Sequence, residues 1–201
     1  MKIALVPISA KPYHAGHHYL VTKAAQQNDK VILFVSISSR RRKGEFPIFG
    51  DDMLRIWTEE LESIMPANVE IEFGGNPVRK VYEKIGDACQ RPEFEDTYVV
   101  YSDVEDTASN YPQANRERYM QPLCHHDQVK FAAEENPEGF SRGAGAPNIS
   151  GTRVRKFLEN GDFKNFTSAM PPGVDANNIW NILTHKTDET LLRNLIQTII
   201  T

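Results

Sequence analysis

The sequence predicts an α/β fold, a doubly wound parallel sheet covered by helices on both faces and followed by a helical extension at the carboxyl end. Runs without a polar residue, at 3–6 and 31–35, are typical of parallel strands that are buried on both faces. The segment between them has apolar residues at helical spacing, and such a strand, helix and strand form a right-handed βαβ unit. The residues from 175 onward carry only helical periodicity.

Length and composition are those of one ordinary globular chain. The 201 residues fit a single domain with a short appended piece. With 40% hydrophobic and 25% charged residues, a disordered chain, a collagen and a coiled coil are poor interpretations. A formal net charge of −4 argues against a protein that binds nucleic acid or a membrane surface through basic charge. We therefore expect neither nucleic acid nor membrane among its partners.

The cysteines and the first residues indicate the compartment. Cys89 and Cys124 have no cysteine or histidine at metal-ligand spacing, which predicts neither a zinc site nor a disulfide framework. His125-His126 also lacks ligand-spaced partners and is predicted to be a surface pair. The apolar start ends at Pro7, which is too early for a signal peptide or a membrane span. We expect a cytoplasmic protein.

The first half of the chain repeats the strand and helix pattern. Apolar residues at helical spacing predict a first helix that ends at Asn28-Asp29. The segment 51–64 is apolar on one side and acidic on the other, which predicts an amphipathic helix with Asp51 as its N-cap and Trp57 in the core. Residues 69–73 alternate strictly, as in an edge strand or a strand covered on one face.

The second half predicts the rest of the sheet and the tail. Its elements are a helix at 77–86, a buried strand at 98–101, a polar loop with some helix at 105–121, a last strand at 128–133 and a helix at 150–158. Two short amphipathic helices follow, one from 175 and one over 191–199. This order predicts a main domain at 1–172 and a helical extension packed on it at 173–201.

A first group of candidate site residues follows the first strand, in Lys11-Pro12-Tyr13-His14-Ala15-Gly16-His17. Two imidazoles and a glycine thus stand at the start of a helix, where free backbone N–H groups and the helix dipole attract anions. Gly16 would let a phosphate approach the backbone, and histidines three residues apart can donate hydrogen bonds to one anion. The alternative is a turn with one buried and one exposed histidine.

A second group lies at 149–155, where Ile-Ser-Gly-Thr-Arg-Val-Arg opens a late helix. This start offers two hydroxyl groups, several free N–H groups and a guanidinium one turn into the helix. A polyphosphate requires such donors aimed at one place. Taken alone, Ser150 also fits a helix cap, and Arg155 also fits an exposed helix position.

The two groups together resemble the signatures of the nucleotidyltransferase superfamily, His-x-Gly-His near the amino terminus and Ile-Ser-x-Thr-x-x-Arg near the carboxyl terminus. Both occur in the family's order, and the resemblance covers about residues 1–172. It implies a Rossmann-like sheet and a reaction in which a phosphorylated small molecule attacks the α-phosphorus of a nucleoside triphosphate and pyrophosphate leaves. It also implies Mg²⁺ and no covalent enzyme intermediate, and we expect a homo-oligomer.

The resemblance assigns roles to the residues of both motifs. His14 and His17 would hold the α- and β-phosphates, with His17 nearest the developing charge. Ser150, Thr152 and Arg155 would hold the β- and γ-phosphates. The other expected nucleotide-binding residues are Ile8, Ser9, Gly16, Ser102, Asp103 and Ile149. Asp103 at a strand end equally fits a cap of the following turn.

Residues 8–12, Ile-Ser-Ala-Lys-Pro, depart from the family, because many adenylyltransferases of the group have Gly-Arg-Phe-Gln-Pro or Gly-Thr-Phe-Asp-Pro there. The reaction class stands, but the subfamily assignment loses support. Lys11 is a candidate catalytic cation, with an exposed turn lysine as the alternative. The basic run 40–43 is either a solvated loop or a site for an anionic acceptor, and the aromatic flap 44–50 could cover a ring such as nicotinamide.

The motif forms and the chain length suggest donor and acceptor. The Ile-Ser-Gly-Thr form resembles adenylyl-transferring members more than cytidylyltransferases, so ATP is the expected substrate. The chain length, the aromatic flap and Phe140-Ser141-Arg142, which could line the base pocket, favour nicotinamide mononucleotide as acceptor, with NAD as product. The alternatives are phosphopantetheine or flavin mononucleotide as acceptor, a cytidylyltransferase, and a catalytically silent nucleotide-binding protein.

Overall fold

A parallel sheet of five strands forms the centre of the molecule. The computed structural model describes residues 1–90, 95–120 and 128–185. The strands are β1 (Lys2–Ile8), β2 (Lys30–Val35), β3 (Val69–Phe73), β4 (Thr97–Val100) and β5 (Val129–Phe131). Their order is β3-β2-β1-β4-β5, and all neighbours pair in parallel. The first apolar run, predicted to be buried on both faces, is therefore the central strand, and the alternating segment is an edge strand, one of the two alternatives that its pattern left open.

Helices connect the strands and follow the last one. They are α1 (Ala15–Gln27), α2 (Gly50–Ile56), α3 (Pro77–Cys89), α4 (Val104–Asn110), α5 (Gln113–Tyr119), α6 (Ala132–Glu135), α7 (Pro137–Phe140), α8 (Gly151–Glu159), α9 (Phe163–Ala169) and α10 (Ala176–Leu183). A π-helical turn (Trp57–Leu61) and a 3₁₀ turn (Glu62–Ile64) continue α2. No helix in the described parts of the chain has the length and apolar character that crossing a bilayer requires.

The side chains of β1 alternate between two cores, one on each face of the sheet. Ala4 and Val6 belong to the core formed with α1, α2 and α8 to α10. Ile3 and Leu5 belong to the core formed with α3 and with the ends of α4 and α5. Because the central strand is buried on both faces, it tolerates no polar residue, which explains its continuous apolar sequence. The predicted doubly wound α/β fold is confirmed.

The helix predicted at 51–64 differs from the expectation at both ends. Asp51 is not the N-cap: Phe49 occupies that position without a capping side chain, and Asp51 lies in the first turn, where a negative charge interacts favourably with the helix dipole. The α-helix ends at Ile56 and gives way to the π-helical turn. Trp57 and Leu61 at the ends of that turn are both buried, and the predicted core position of Trp57 is confirmed.

The segment 105–121 is more helical than the sequence predicts. It contains α4, capped by Asp103, and α5, which follows Pro112. Its helical periodicity is weak because Thr107 is the buried residue of α4 and α5 has none. The sequence also predicts no element where the structure has α9.

The first predicted tail helix is present as α10, and it packs against α2 and α9. Its Trp180 side chain meets the rings of Phe163 and Phe166 edge-on, with ring centroids 5.3 and 5.1 Å away. The second predicted tail helix, Cys124 and His125-His126 lie outside the described residues. The domain boundary between 172 and 173 stays a prediction.

Candidate functional site

A cavity of about 720 Å³ opens at the carboxyl ends of the strands. It lies where the sheet order reverses, between β1 and β4, and ligands of open α/β sheets bind at such a switch point. Its size is that of a small-molecule site. The predicted site residues on its wall are Ile8, Ser9, His14, Gly16, His17, Ser102, Asp103, Ile149 and Ser150.

His14 joins the end of β1 to the start of α1. It is the N-cap of α1, and its Nδ1 accepts a hydrogen bond of 3.1 Å from the backbone N–H of Gly16. Because Nδ1 accepts, the neutral ring carries its proton on Nε2. The side chain is 5% exposed, so the fold fixes both its orientation and its tautomer.

His17 lies one turn further along α1 and stacks on His14. The ring centroids are 3.9 Å apart at an interplanar angle of 22°, and the Tyr13 ring also stacks with His17, with a centroid distance of 5.4 Å. No described residue hydrogen-bonds the buried Nδ1 of His17.

Both imidazoles are neutral at physiological pH. Burial lowers the pKa of His14 to about 2, with smaller contributions from His17, Arg142 and Arg155. Burial also lowers the pKa of His17 to about 3, with a smaller contribution from the charge of Arg142. Each ring can therefore donate one hydrogen bond to an anion without carrying a charge of its own.

The start of α8 faces the same cavity. Ser150 is its N-cap and accepts a hydrogen bond of 3.3 Å from the backbone N–H of Arg153. A Cβ on Gly16 would lie 3.0 Å from the His14 ring and 3.2 Å from the Cγ2 atom of Ile149, so glycine allows the starts of α1 and α8 to approach closely. Two helix N-termini thus present their dipoles to one space.

The predicted cations Lys11 and Arg155 do not line the cavity. Both are 5% exposed. The Nζ of Lys11 donates to the backbone oxygen of Ser36 at 2.6 Å, and burial lowers the pKa of Lys11 to about 8. The structure thus excludes an exposed turn lysine.

Arg155 links the two motifs to each other. Its Nη1 donates to the backbone oxygen of Lys11 at 2.7 Å, and its Nη2 donates to the hydroxyl of Thr152 at 3.0 Å. Its Nε lies 3.2 Å from a carboxylate oxygen of Glu45. Thr152 also lies off the cavity wall. In this structure Arg155, bonded to Thr152, positions the turn after β1 through the backbone of Lys11. The contacts of Arg155 and Thr152 with phosphate stay predictions.

The aromatic flap does not cover the cavity in this structure, because none of residues 40–50 lines it. Backbone hydrogen bonds between Arg40 and Ile48 close the loop, and Arg40 pairs with Glu45 at 2.7 Å. Ile48 is buried in the main core, against which Phe46 packs. Burial of these apolar side chains draws the loop toward the core, which local sequence does not reveal.

Ser102 and Asp103 combine structural and site positions. The hydroxyl groups of Ser102 and Thr107 are 2.7 Å apart. Asp103 accepts a hydrogen bond of 2.7 Å from the backbone N–H of Asp106, so it caps α4, and its other carboxylate oxygen pairs with Arg142. Asp103 therefore caps α4 and also lines the cavity, and its contact with a nucleotide stays a prediction.

The cavity wall also contains residues that the sequence analysis did not single out. Ser36 and Ser38 follow β2, and Asn76 caps α3, where it accepts a hydrogen bond of 3.1 Å from the backbone N–H of Arg79. The sequence could have identified them. Ser36 and Ser38 follow the carboxyl end of β2, and Asn76 follows that of β3 just before Pro77, which marks a helix start. Of the three residues predicted to line the base pocket, Phe140 and Arg142 lie on the cavity wall and Ser141 does not, and their contact with a base stays a prediction.

Comparison with known proteins gives a partial match. The profile of a family described as citrate lyase ligase C-terminal domain matches residues 3–49, the part that contains β1, α1 and β2. No curated protein sequence matches the chain. The crystal structure of Thermotoga maritima TmcAL bound with alpha-thio ATP is similar over 94% of this chain, with 15% sequence identity and a TM-score of 0.47. The chain spans 56% of the length of that structure.

Proposed function

We propose that the chain is a nucleotidyltransferase that transfers AMP from ATP to a phosphorylated small molecule and releases pyrophosphate. One observation carries this proposal: the starts of α1 and α8, with neutral His14 and His17 and the cap residue Ser150, converge on one cavity at the switch point. Helix N-termini and uncharged donors of this kind suit a polyphosphate. The family match at 3–49 adds support, since ligases join molecules at the expense of a nucleoside triphosphate.

In the proposed reaction the acceptor phosphate is already ionised, so the protein needs no nucleophile and no strong base. Catalysis then consists of positioning and of stabilising the charge that develops on the α-phosphoryl group. His14 and His17 would donate hydrogen bonds to its oxygens. Because their pKa values are far below 7, they act as donors and not as general acids.

The proposed substrate includes Mg²⁺, and the cavity fits an ion that arrives with the triphosphate. The described residues contain no group of three histidine, cysteine or acidic side chains that could hold a metal by themselves. Asp103 and Asp106 on the cavity wall are the carboxylates that could contact such an ion. Magnesium in nucleotide sites is held largely by phosphates with one or two carboxylates, and it neutralises phosphate charge.

We propose nicotinamide mononucleotide as acceptor, with NAD as product. The support is the resemblance of the two motifs, together with a cavity wall that contains Phe140 and neutral polar side chains. The aromatic flap no longer contributes support. Phosphopantetheine, flavin mononucleotide and the phosphorylated alcohols that a cytidylyltransferase would use remain acceptors to be compared.

The test is an assay of pyrophosphate release with Mg²⁺ and α-labelled ATP or CTP against these acceptors. We expect release that depends on ATP and nicotinamide mononucleotide, with the label recovered in NAD. Faster turnover with CTP would identify a cytidylyltransferase, and dependence on another acceptor would replace nicotinamide mononucleotide. Binding of ATP without turnover for any pair would reject the transferase in favour of a catalytically silent binding protein.

A further inference from the structure

Arg142 is the one lysine or arginine that lines the cavity in the described parts of the chain. The cations expected from the sequence, Lys11 and Arg155, are instead engaged with backbone oxygens away from its wall. The two imidazoles on the wall are neutral. Among the residues that the structure describes, Arg142 is therefore the side chain on the cavity wall that offers a triphosphate a permanent positive charge.

A tightly bonded loop presents Arg142. The backbone N–H of Gly143 donates to the oxygen of Ala146 at 2.9 Å, and that of Gly145 donates to the oxygen of Glu138 at 3.1 Å. Gly143 has a φ of +80°, which favours glycine, and a Cβ on Gly145 would lie 2.7 Å from the backbone oxygen of Glu138. The sequence of this loop thus fixes the backbone on the carboxyl side of Arg142.

Asp103 holds one edge of the Arg142 guanidinium. The contact is made by Nη2, and the carboxylate of Asp106 lies 3.9 Å from the same nitrogen. Asp103 is itself fixed as the cap of α4. In the described part of the chain, Nε and Nη1 of Arg142 have no hydrogen-bond partner, and the side chain is 43% exposed. A guanidinium held at one edge keeps its other N–H groups available for a second anion.

Arg142 lines the same cavity as the imidazole pair of His14 and His17. Its positive charge makes a small contribution to the lowered pKa of both rings, after the larger effect of burial. An anion placed there would accept hydrogen bonds from the guanidinium and from neutral imidazoles.

We propose that Arg142 binds the phosphate groups of the substrate directly, and that Asp103 is a positioning residue that holds the guanidinium in place for this contact. This inference rests on the proposed function, because it names the cation of the same site. The ligand class is a polyphosphate or the phosphate of a nucleotide. Planar guanidinium groups bind phosphate oxygens through two parallel N–H donors, which lysine cannot do.

The test measures the affinity of the full chain for tripolyphosphate and for adenosine by calorimetry. We expect Arg142→Gln to weaken tripolyphosphate binding about 10- to 100-fold, the range of a charge-assisted hydrogen bond, and to leave adenosine binding within about twofold. Arg142→Lys should fall between the two, because it keeps the charge and loses the fork. The matched control is Arg79→Gln, which removes an exposed arginine that is also paired with a carboxylate.

Two results would overturn the inference. One is an Arg142→Gln variant that folds, by circular dichroism, and binds tripolyphosphate as the unmodified protein does. The other is an unmodified protein that binds adenosine but not tripolyphosphate. A third result separates the two proposals: if the unmodified protein turns over no acceptor but its binding of tripolyphosphate depends on Arg142, the proposed function is rejected and the phosphate contact is kept.

Discussion

At the scale of single residues, the uncharged state of His14 and His17 decides what the site can do. Charged imidazoles would attract phosphate more strongly, but the buried stack beside Arg142 disfavours a second positive charge. The rings therefore supply directed hydrogen bonds, while Arg142 supplies the charge. Directed donors placed before the reaction stabilise developing charge efficiently because they need not reorganise.

Replacing His17 by alanine is expected to lower turnover by about two to three powers of ten, the effect of removing one preorganised donor at a developing charge. The measurement is kcat for the acceptor that the assay identifies. The matched control is His18→Ala, which removes the neighbouring imidazole; its Nδ1 lies 3.3 Å from the hydroxyl of Tyr13 and it does not line the cavity. Unchanged kcat in the His17 variant would reject the assignment of the site.

Stability is expected to fall as the pH drops from 7.5 to 5.5. The unfolded chain takes up protons on both histidines near pH 6.5, whereas the folded protein keeps His14 and His17 neutral down to pKa values of about 2 and 3. The unfolded state thus binds more protons over this interval. Protonation of the two histidines in the unfolded state lowers the free energy of unfolding by up to about 3 kcal/mol. Urea unfolding at both pH values measures this. In the double variant His14→Asn and His17→Asn, where asparagine can still cap α1, the loss should largely disappear; an equal loss would contradict the prediction.

At the scale of elements, glycines set how closely neighbouring elements approach. Gly50 is the last residue of the flap and the first of α2, and its backbone N–H donates to the hydroxyl of Ser39 at 3.0 Å. A Cβ there would lie 1.9 Å from the backbone oxygen of Ile37. The chain can therefore enter α2 along this path only with glycine.

We expect Gly50→Ala to destabilise the protein by about 3 kcal/mol, because backbone atoms on both sides must move apart. The matched control is Gly86→Ala in α3, where a Cβ would meet nothing within 4 Å. That change should stabilise the protein by about 0.5–1 kcal/mol through higher helix propensity. Chemical denaturation of both variants measures the difference; a Gly50 variant as stable as the original would show that the loop adapts freely.

At the scale of the whole molecule, α10 closes the core on one face of the sheet. Ile179, Trp180 and Leu183 are buried in the same core as the central strand. The cap residue of α10, Asp175, receives the N–H groups of Asn177 and Asn178, and its own N–H donates to Glu60 at 2.8 Å. The helix is thus held by apolar packing and by polar contacts to the segment after α2.

Removing the Trp180 side chain is expected to cost about 3–5 kcal/mol, the range for truncating a buried aromatic residue to alanine. The side chain is 6% exposed and loses its edge-on contacts with Phe163 and Phe166. Urea unfolding followed by circular dichroism measures the loss. Asn177→Ala on the exposed side of α10 serves as control and should change stability by less than about 0.5 kcal/mol. A Trp180 variant that loses under about 1 kcal/mol would show that α10 is not part of the core.

The sequence by itself determined the parallel sheet, the order of its elements and the place of both motifs at helix starts. These features follow from local periodicity, and the rule that parallel strands end at one edge places His14 and His17 at that edge. The resemblance of the two motifs placed Ser150 at the same site, and the structure has all three residues on one cavity wall. Where periodicity was weak, as in 105–121, the helices were underestimated.

Only the tertiary structure decided which charged groups face that cavity. Lys11 turns inward to Ser36, Arg155 reaches the backbone of Lys11 across the fold, and the loop at 141–146 brings Arg142 beside Asp103. A buried cation must find oxygen partners, and these come from segments far apart in the chain. Local sequence shows that a cation is present, but the packing of distant loops determines the direction in which its side chain points.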